Sequence, residues 1–225
     1  MNRHRAMIEE IAAEAAATAD YTGRPAFDGR VMAAMASVPR HEFVPPAEEA
    51  YAYINNALSI GHGQTISQPY IVALMLEAAA IRPGDRVLEI GAGSGYASAL
   101  ASLLAARVVA IERHPGLAAS AGERLARLGY AKVEVHCADG SGGWPQGAPF
   151  DAILVAASGP RVPAVLRGQL AIGGRLVMPV GHSSWDQRLV RLTRRGEEGF
   201  DEENLCGVVF VPLIGAHGWP SGRER

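Results

Sequence analysis

The chain has 225 residues, 48% of them hydrophobic and 20% charged, with a net charge of −2. That length suits one ordinary domain with a full core, and the composition excludes the disordered and fibrous classes. The near-neutral balance gives no global attraction to nucleic acid or anionic lipid, so neither is expected as a partner. Cys137 and Cys206 stand far apart with no C-x-x-C spacing, which argues for two buried small apolar side chains rather than a disulfide or zinc site. His41, His62, His114 and His136 show no metal-ligand spacing either, and no metal is expected. The basic start, Met1 to Arg5, runs into Glu9, Glu10 and Glu14 instead of an apolar core, and residues 97–111, the most apolar stretch, contain Ser98, Ser102 and Arg107. The expectation is a cytoplasmic protein with neither a secretory leader nor a membrane span.

Residues 3–19 and 28–38 carry Ala, Met, Ile and Glu at helical spacing and predict two helices ahead of the main body. From about Ala47 to Ser67 the periodicity fails, at Tyr51, Tyr53, Asn55, Asn56, Gly61 and Gly63, which predicts a long loop of the kind that carries function. Pro69 opens a helix through about Ala80. Strands are then predicted at 86–90, 107–112, 132–137, 151–155 and 174–180, with intervening helices to about Leu104, over 115–128 and over 162–170. Residues 187–193 and 205–213 read as two more strands with no room for a helix between them. This alternation predicts an α/β fold: a mostly parallel, doubly wound sheet of about seven strands with an antiparallel edge. The whole chain, 1–225, is expected to form one domain, with helices and a covering loop in 1–67 and a Rossmann-like core in 68–225. Ligands of such sheets sit beyond the carboxyl ends of the strands, which puts Gly91–Gly95, Glu112, Asp139-Gly140 and Ala156–Ser158 on one rim.

Glu89-Ile90-Gly91-Ala92-Gly93-Ser94-Gly95-Tyr96 follows the first core strand. Glycine lets a backbone turn sharply and approach a ligand closely. A dinucleotide site would have G-x-G-x-x-G, whereas here Tyr96 stands where the third glycine would fall. The spacing disfavours a nicotinamide oxidoreductase and resembles motif I of the S-adenosylmethionine methyltransferases; a plain strand-to-helix turn is the other reading. Glu112 ends the second strand, where an acid can accept both hydroxyls of a ribose, or simply sit solvated. Asp139-Gly140 ends the third, where methyltransferases hold adenine, although the pair is also an ordinary turn. Arg188, Arg191, Arg194 and Arg195 read as a solvated strand face.

Gly61-His62-Gly63-Gln64-Thr65-Ile66-Ser67-Gln68-Pro69 resembles the signature of the protein-L-isoaspartate O-methyltransferase family. The resemblance runs from about Val31 to Trp219 and takes in Val38-Pro39-Arg40-His41-Glu42-Phe43-Val44-Pro45, Pro149-Phe150-Asp151-Ala152-Ile153, Gly173-Gly174-Arg175-Leu176-Val177 and Phe210-Val211-Pro212-Leu213. It implies a monomeric enzyme that moves a methyl group from S-adenosyl-L-methionine to the α-carboxylate of L-isoaspartyl residues in damaged peptides and proteins, initiating their repair through a succinimide. It further implies Ser67 as the catalytic residue, and Gln64, Thr65, Ile66, Ser67, Glu89, Gly91, Gly93, Ser94, Gly95, Glu112, Arg113, Asp139 and Gly140 around the cofactor. Ser67 could equally cap the helix that Pro69 opens. Tyr70 stands where many relatives have His and could still meet the cofactor. Members of the family often carry an acid seven positions before the first glycine of Gly61-His62-Gly63, and here that position is Ile54. The departure predicts weaker turnover, or a methyltransferase acting on a different carboxylate or nucleophile. A non-enzymatic cofactor-binding protein is the remaining reading, opposed by Ser67, Glu112 and Asp139 all being in place.

Overall fold

The computed structural model describes residues 3–183, 185–220 and 222. It begins with helix α1 (Arg3–Ala17), which buries Met7, Ile11 and Ala15 at the four-residue spacing of one helix face. A single turn, α2 (Ala19–Thr22), and α3 (Gly29–Ser37) follow; the Asp28 side chain caps α3 by accepting the Arg30 N–H at 2.7 Å. Residues 47–67, expected as one loop, instead hold a 3-10 turn at Pro46–Tyr51 and a hairpin, β1 (Leu58–Gly61) and β2 (Gln64–Ile66). Its two-residue loop needs positive φ at both positions, and His62 and Gly63 supply +54° and +68°. A strand of three residues is too short to show a period of two, which is why the pattern was not visible in sequence. Helix α4 (Pro69–Ala79) then leads into the core.

The core alternates β3 (Arg86–Ile90), α5 (Tyr96–Leu104), β4 (Arg107–Glu112), α6 (Pro115–Arg127), β5 (Val133–Cys137), β6 (Phe150–Val155), α7 (Ala164–Gly168) and β7 (Leu170–Val180). Strands β8 (Arg188–Arg194) and β9 (Phe200–Gly207) close one edge. The seven-stranded sheet has the order β5-β4-β3-β6-β7-β8-β9, parallel from β5 through β7 and antiparallel over the last two. This is the expected Rossmann-like α/β architecture. Both faces are covered, so strands such as Val108–Ile111 are apolar throughout. Val87, Val108, Leu154 and Val177 join the N-terminal helices, α4 and α5 in one apolar cluster, while Leu88, Ile90, Ile153 and Leu176 pack with Leu166 of α7 on the other face. Strand order reverses at β3, whose neighbours are β4 and β6, so a crevice opens beyond the carboxyl ends there.

Three boundaries differ from expectation. Helix α7 is shorter than 162–170, because β7 begins at Leu170 and not at Gly174. The last strand is not 205–213: β9 ends at Gly207, and the apolar run that follows leaves the sheet. Cys137 is exposed, not buried, and Cys206 is partly buried. No helix of the described residues is long and apolar enough to cross a membrane.

Candidate active site

A cleft of about 1420 Å³ lies beyond the ends of β3, β4 and β6. Its floor is the glycine loop. The Gly91 and Ala92 amides both donate to the Ile111 carbonyl, at 2.8 and 3.1 Å, and fold the chain tightly back over the end of β4. At Gly93 (φ +54°) a Cβ would stand 3.1 Å from Ile60 Cδ1, so the β1–β2 hairpin is the roof of the same cleft. Gly95 (φ +85°) serves differently. It does not line the cleft, and a Cβ there would press within 3.1 Å of Leu125 on α6, so its hydrogen allows two helices to approach.

Two buried carboxyls face this floor. Glu112 is 4% exposed and accepts the Gly93 N–H through Oε2 and the His114 N–H through Oε1, each at 2.9 Å. Each oxygen keeps a second lone pair for a ligand. Glu89 lies wholly inside, with the Ser98 hydroxyl donating to it. Burial, and secondarily the charge of Glu112, push the Glu89 carboxyl up to about 8 against the hydrogen bond from Ser98. A carboxyl raised from the ordinary 4.5 binds its proton more tightly in the folded than in the unfolded chain. Its contribution is therefore complete below 4.5 and is lost as pH climbs through about 8. The ligand-free protein should lose Tm over that window, and Glu89→Gln should flatten the loss in scanning fluorimetry. An unchanged slope would assign the pH dependence to other groups.

Asp139 behaves otherwise. Its oxygens accept the Ser141 N–H at 2.8 Å and the Ala216 N–H at 2.9 Å. Burial alone would raise this carboxyl, but these bonds hold it below the usual carboxylate range. Asp139 thus pins the C-terminal segment and lines a smaller hollow with Arg113 and Ile214, while Gly140 lines the main cleft.

From the roof, Gln64, Thr65, Ile66 and Ser67 all line the cleft. Ser67 is not the cap of α4: that position is Gln68, with no side-chain cap bond. Tyr70 turns away from the cleft, with its hydroxyl 2.6 Å from Thr18 Oγ1 and its ring stacked on Phe27. Ile54 is 51% exposed, and it is the next residue, Asn55, that reaches inward, where Oδ1 accepts the Tyr70 N–H at 3.0 Å. At the hairpin tip the His62 and His114 rings lie 5.5 Å apart.

A model of the protein-L-isoaspartate(D-aspartate) O-methyltransferase family matches residues 21–218. The chain belongs to this family. A protein-L-isoaspartate O-methyltransferase of Rhodopseudomonas palustris is 54% identical over 204 residues, covering 89% of this chain and 94% of its own. Another, from Roseiflexus castenholzii, is 54% identical over 218 residues, covering 97% and 94%. A solved protein-L-isoaspartate O-methyltransferase superposes with a TM-score of 0.78 at 26% identity, over 94% of this chain and 67% of its own. A Plasmodium falciparum structure in complex with S-adenosyl-L-homocysteine has the same fold, with a TM-score of 0.79 at 24% identity over 95% and 99%.

Within this methyltransferase frame, Glu89, Gly91, Gly93, Ser94, Glu112, Arg113 and Gly140 meet Gln64–Ser67 around one cleft, whereas Gly95 and the Asp139 side chain stand outside it. The wall that sequence reading missed is C-terminal. Residues 208–214 run along the cleft, held by the Gln187 amide, which donates to the Phe210 carbonyl at 3.1 Å and accepts its N–H at 2.7 Å. Ser158 extends the tie: its N–H donates to Val211 O and its carbonyl accepts Leu213 N–H, both at 2.8 Å, as well as Trp219 Nε1 at 3.0 Å. The available signal was Gly196 and Gly199, which close the β8–β9 turn and leave Val208–Leu213 beyond the strand.

Proposed function

We propose that this chain transfers the methyl group of S-adenosyl-L-methionine to the α-carboxylate of L-isoaspartyl residues in damaged polypeptides. The observation that carries the reading is the meeting of Ser67, on the arm from Gln64 to Gln68, with the glycine loop and Glu112 across a single cleft. Family membership supports it. The residues fit the cofactor: the floor presents backbone rather than side chains, and Glu112 keeps free lone pairs for ribose hydroxyls. Glu89, held neutral by burial, is placed to ionise opposite a positive charge. When bound, the cofactor supplies an electrophilic methyl on a sulfonium.

The remaining work is positional. The accepting α-carboxylate has a reference pKa near ~3.5 and is already ionised at pH 7, so no side chain need remove a proton. Ser67 donates a hydrogen bond that turns one carboxylate oxygen toward the cleft floor. Fixing the reacting groups in line supplies about 7–11 kcal/mol, the scale of well-oriented encounter. The roof at Ile60 and Ile66 keeps water from the reacting atoms. Isoaspartate is chosen by geometry, since its free α-carboxylate sits one methylene closer to the backbone than the side-chain carboxylate of aspartate. A misplacement near ~1 Å costs about 100-fold in rate. The test compares methylation of an isoaspartyl peptide with its aspartyl twin, and the expected preference is about 100-fold or more. Equal rates on both, or none on either while S-adenosylhomocysteine binds, would point to a different acceptor.

A further inference from the structure

We infer that Glu14, on the N-terminal helix, is a positioning residue for the polypeptide substrate, its carboxylate clamping the two segments that flank the β1–β2 hairpin, the second of which carries Ser67. The inference rests on the proposed function for its substrate and on geometry for the clamp. Helix α1 lies ahead of the residues matched by the family, yet Glu14 reaches into them. Its Oε2 accepts from Asn55 Nδ2 at 2.5 Å, and both of its oxygens stand 3.4 Å from Gln68 Nε2. Asn55 precedes the β1–β2 hairpin and Gln68 directly follows Ser67, so one carboxylate gathers the strand entering the roof and the strand leaving it.

The chemistry of the partners favours an acid. Asn55 commits its Oδ1 to the Tyr70 N–H, so only its donor nitrogen is left to face Glu14. Gln68 also presents its donor side. A carboxylate meets two converging donors with acceptors alone, whereas a carboxamide would also bring an NH2 donor to the same point. Thr18, one turn on, braces the same point: its hydroxyl donates to the Glu14 carbonyl at 2.8 Å and meets the Tyr70 hydroxyl. Burial, and then the charge of Glu14, push the neighbouring Cys206 thiol up to about 11.

The experiment uses the full chain with Glu14→Ala and Glu14→Gln. For Glu14→Ala, kcat/KM on the isoaspartyl peptide should fall about tenfold or more, mainly through kcat, because a displaced Ser67 meets its substrate out of register. The Kd of S-adenosylhomocysteine should stay within about twofold of the parent. Glu14→Ala combined with Asn55→Ala should be no worse than the poorer single variant, as members of one unit behave. A kcat/KM within about twofold of the parent, or an equal loss of cofactor affinity, would overturn the positioning role. Hydrogen exchange decides the clamp separately: in Glu14→Gln the amides of residues 64–68 should exchange faster while 86–90 keep their protection. Unchanged exchange would overturn the clamp. A parent inactive on the peptide would remove the proposed function instead and leave the exchange result standing.

Discussion

Arg175→Ala is expected to cost about 3–5 kcal/mol of stability, the scale for breaking a buried ion pair from one side. For a chain of this size that corresponds to a fall in Tm of about 6–20 °C. Arg175 and Asp85 are 7% and 8% exposed, with Nη2 and Oδ2 3.0 Å apart. The same guanidinium donates through Nε to the Ala79 carbonyl at 2.7 Å and through Nη2 to the Ala80 carbonyl. Those carbonyls are the open end of α4, where the last orphan acceptors of a helix must find donors. Ala80 adopts a left-handed φ of +46° at that end without being glycine, and the arginine is what holds it there. Truncation leaves Asp85 charged with only the Arg82 N–H, at 3.0 Å, and strands the helix end. Since α4 starts directly after the Ser67 arm, kcat/KM on the peptide should fall together with the loss of Tm. Thermal melts check the first part, and a change under about 2 °C would mean that water replaces the guanidinium.

Glu112→Ala should weaken S-adenosylhomocysteine binding by about 1.5–3 kcal/mol, or about 10–150-fold. The ligand loses a charged acceptor for its ribose hydroxyls. The Gly93 and His114 amides also lose theirs, so the floor that Glu112 ties together is loosened. Glu112→Gln keeps one acceptor oxygen and should fall between the parent and the alanine variant. Titration calorimetry separates the three, and equal affinities would remove Glu112 from the cofactor site.

The parallel half of the sheet was legible because β3, β4 and β5 lead into a glycine, an acid and an Asp-Gly pair, and α5 and α6 start within a few residues of β3 and β4. Burial on both faces writes β4 and β6 as the apolar runs Val108–Ile111 and Ala152–Val155. The antiparallel edge was less legible for the same reason inverted. Strand β9, Phe200–Gly207, is largely polar because it faces solvent, while Val208–Leu213 looks like a strand and is wall. Among site residues, Glu112 and the Gln64–Ser67 arm were readable from position and resemblance. The turning of Asp139 toward Ala216, and the reach of Glu14 to Asn55, join residues dozens of positions apart. No local pattern encodes such a contact.

The sheet ends on one side at β9 with exposed Asp201, Glu202 and Asn204, and on the other at β5 with exposed Glu134. A strand edge is a template for any extended chain that comes near, and charge along it discourages pairing. For an enzyme whose proposed clients are worn, partly unravelled polypeptides, this matters more than for one that handles small molecules. Its own flanks offer clients little purchase. A client can be held at one damaged residue and let go without being knitted into the enzyme that mends it.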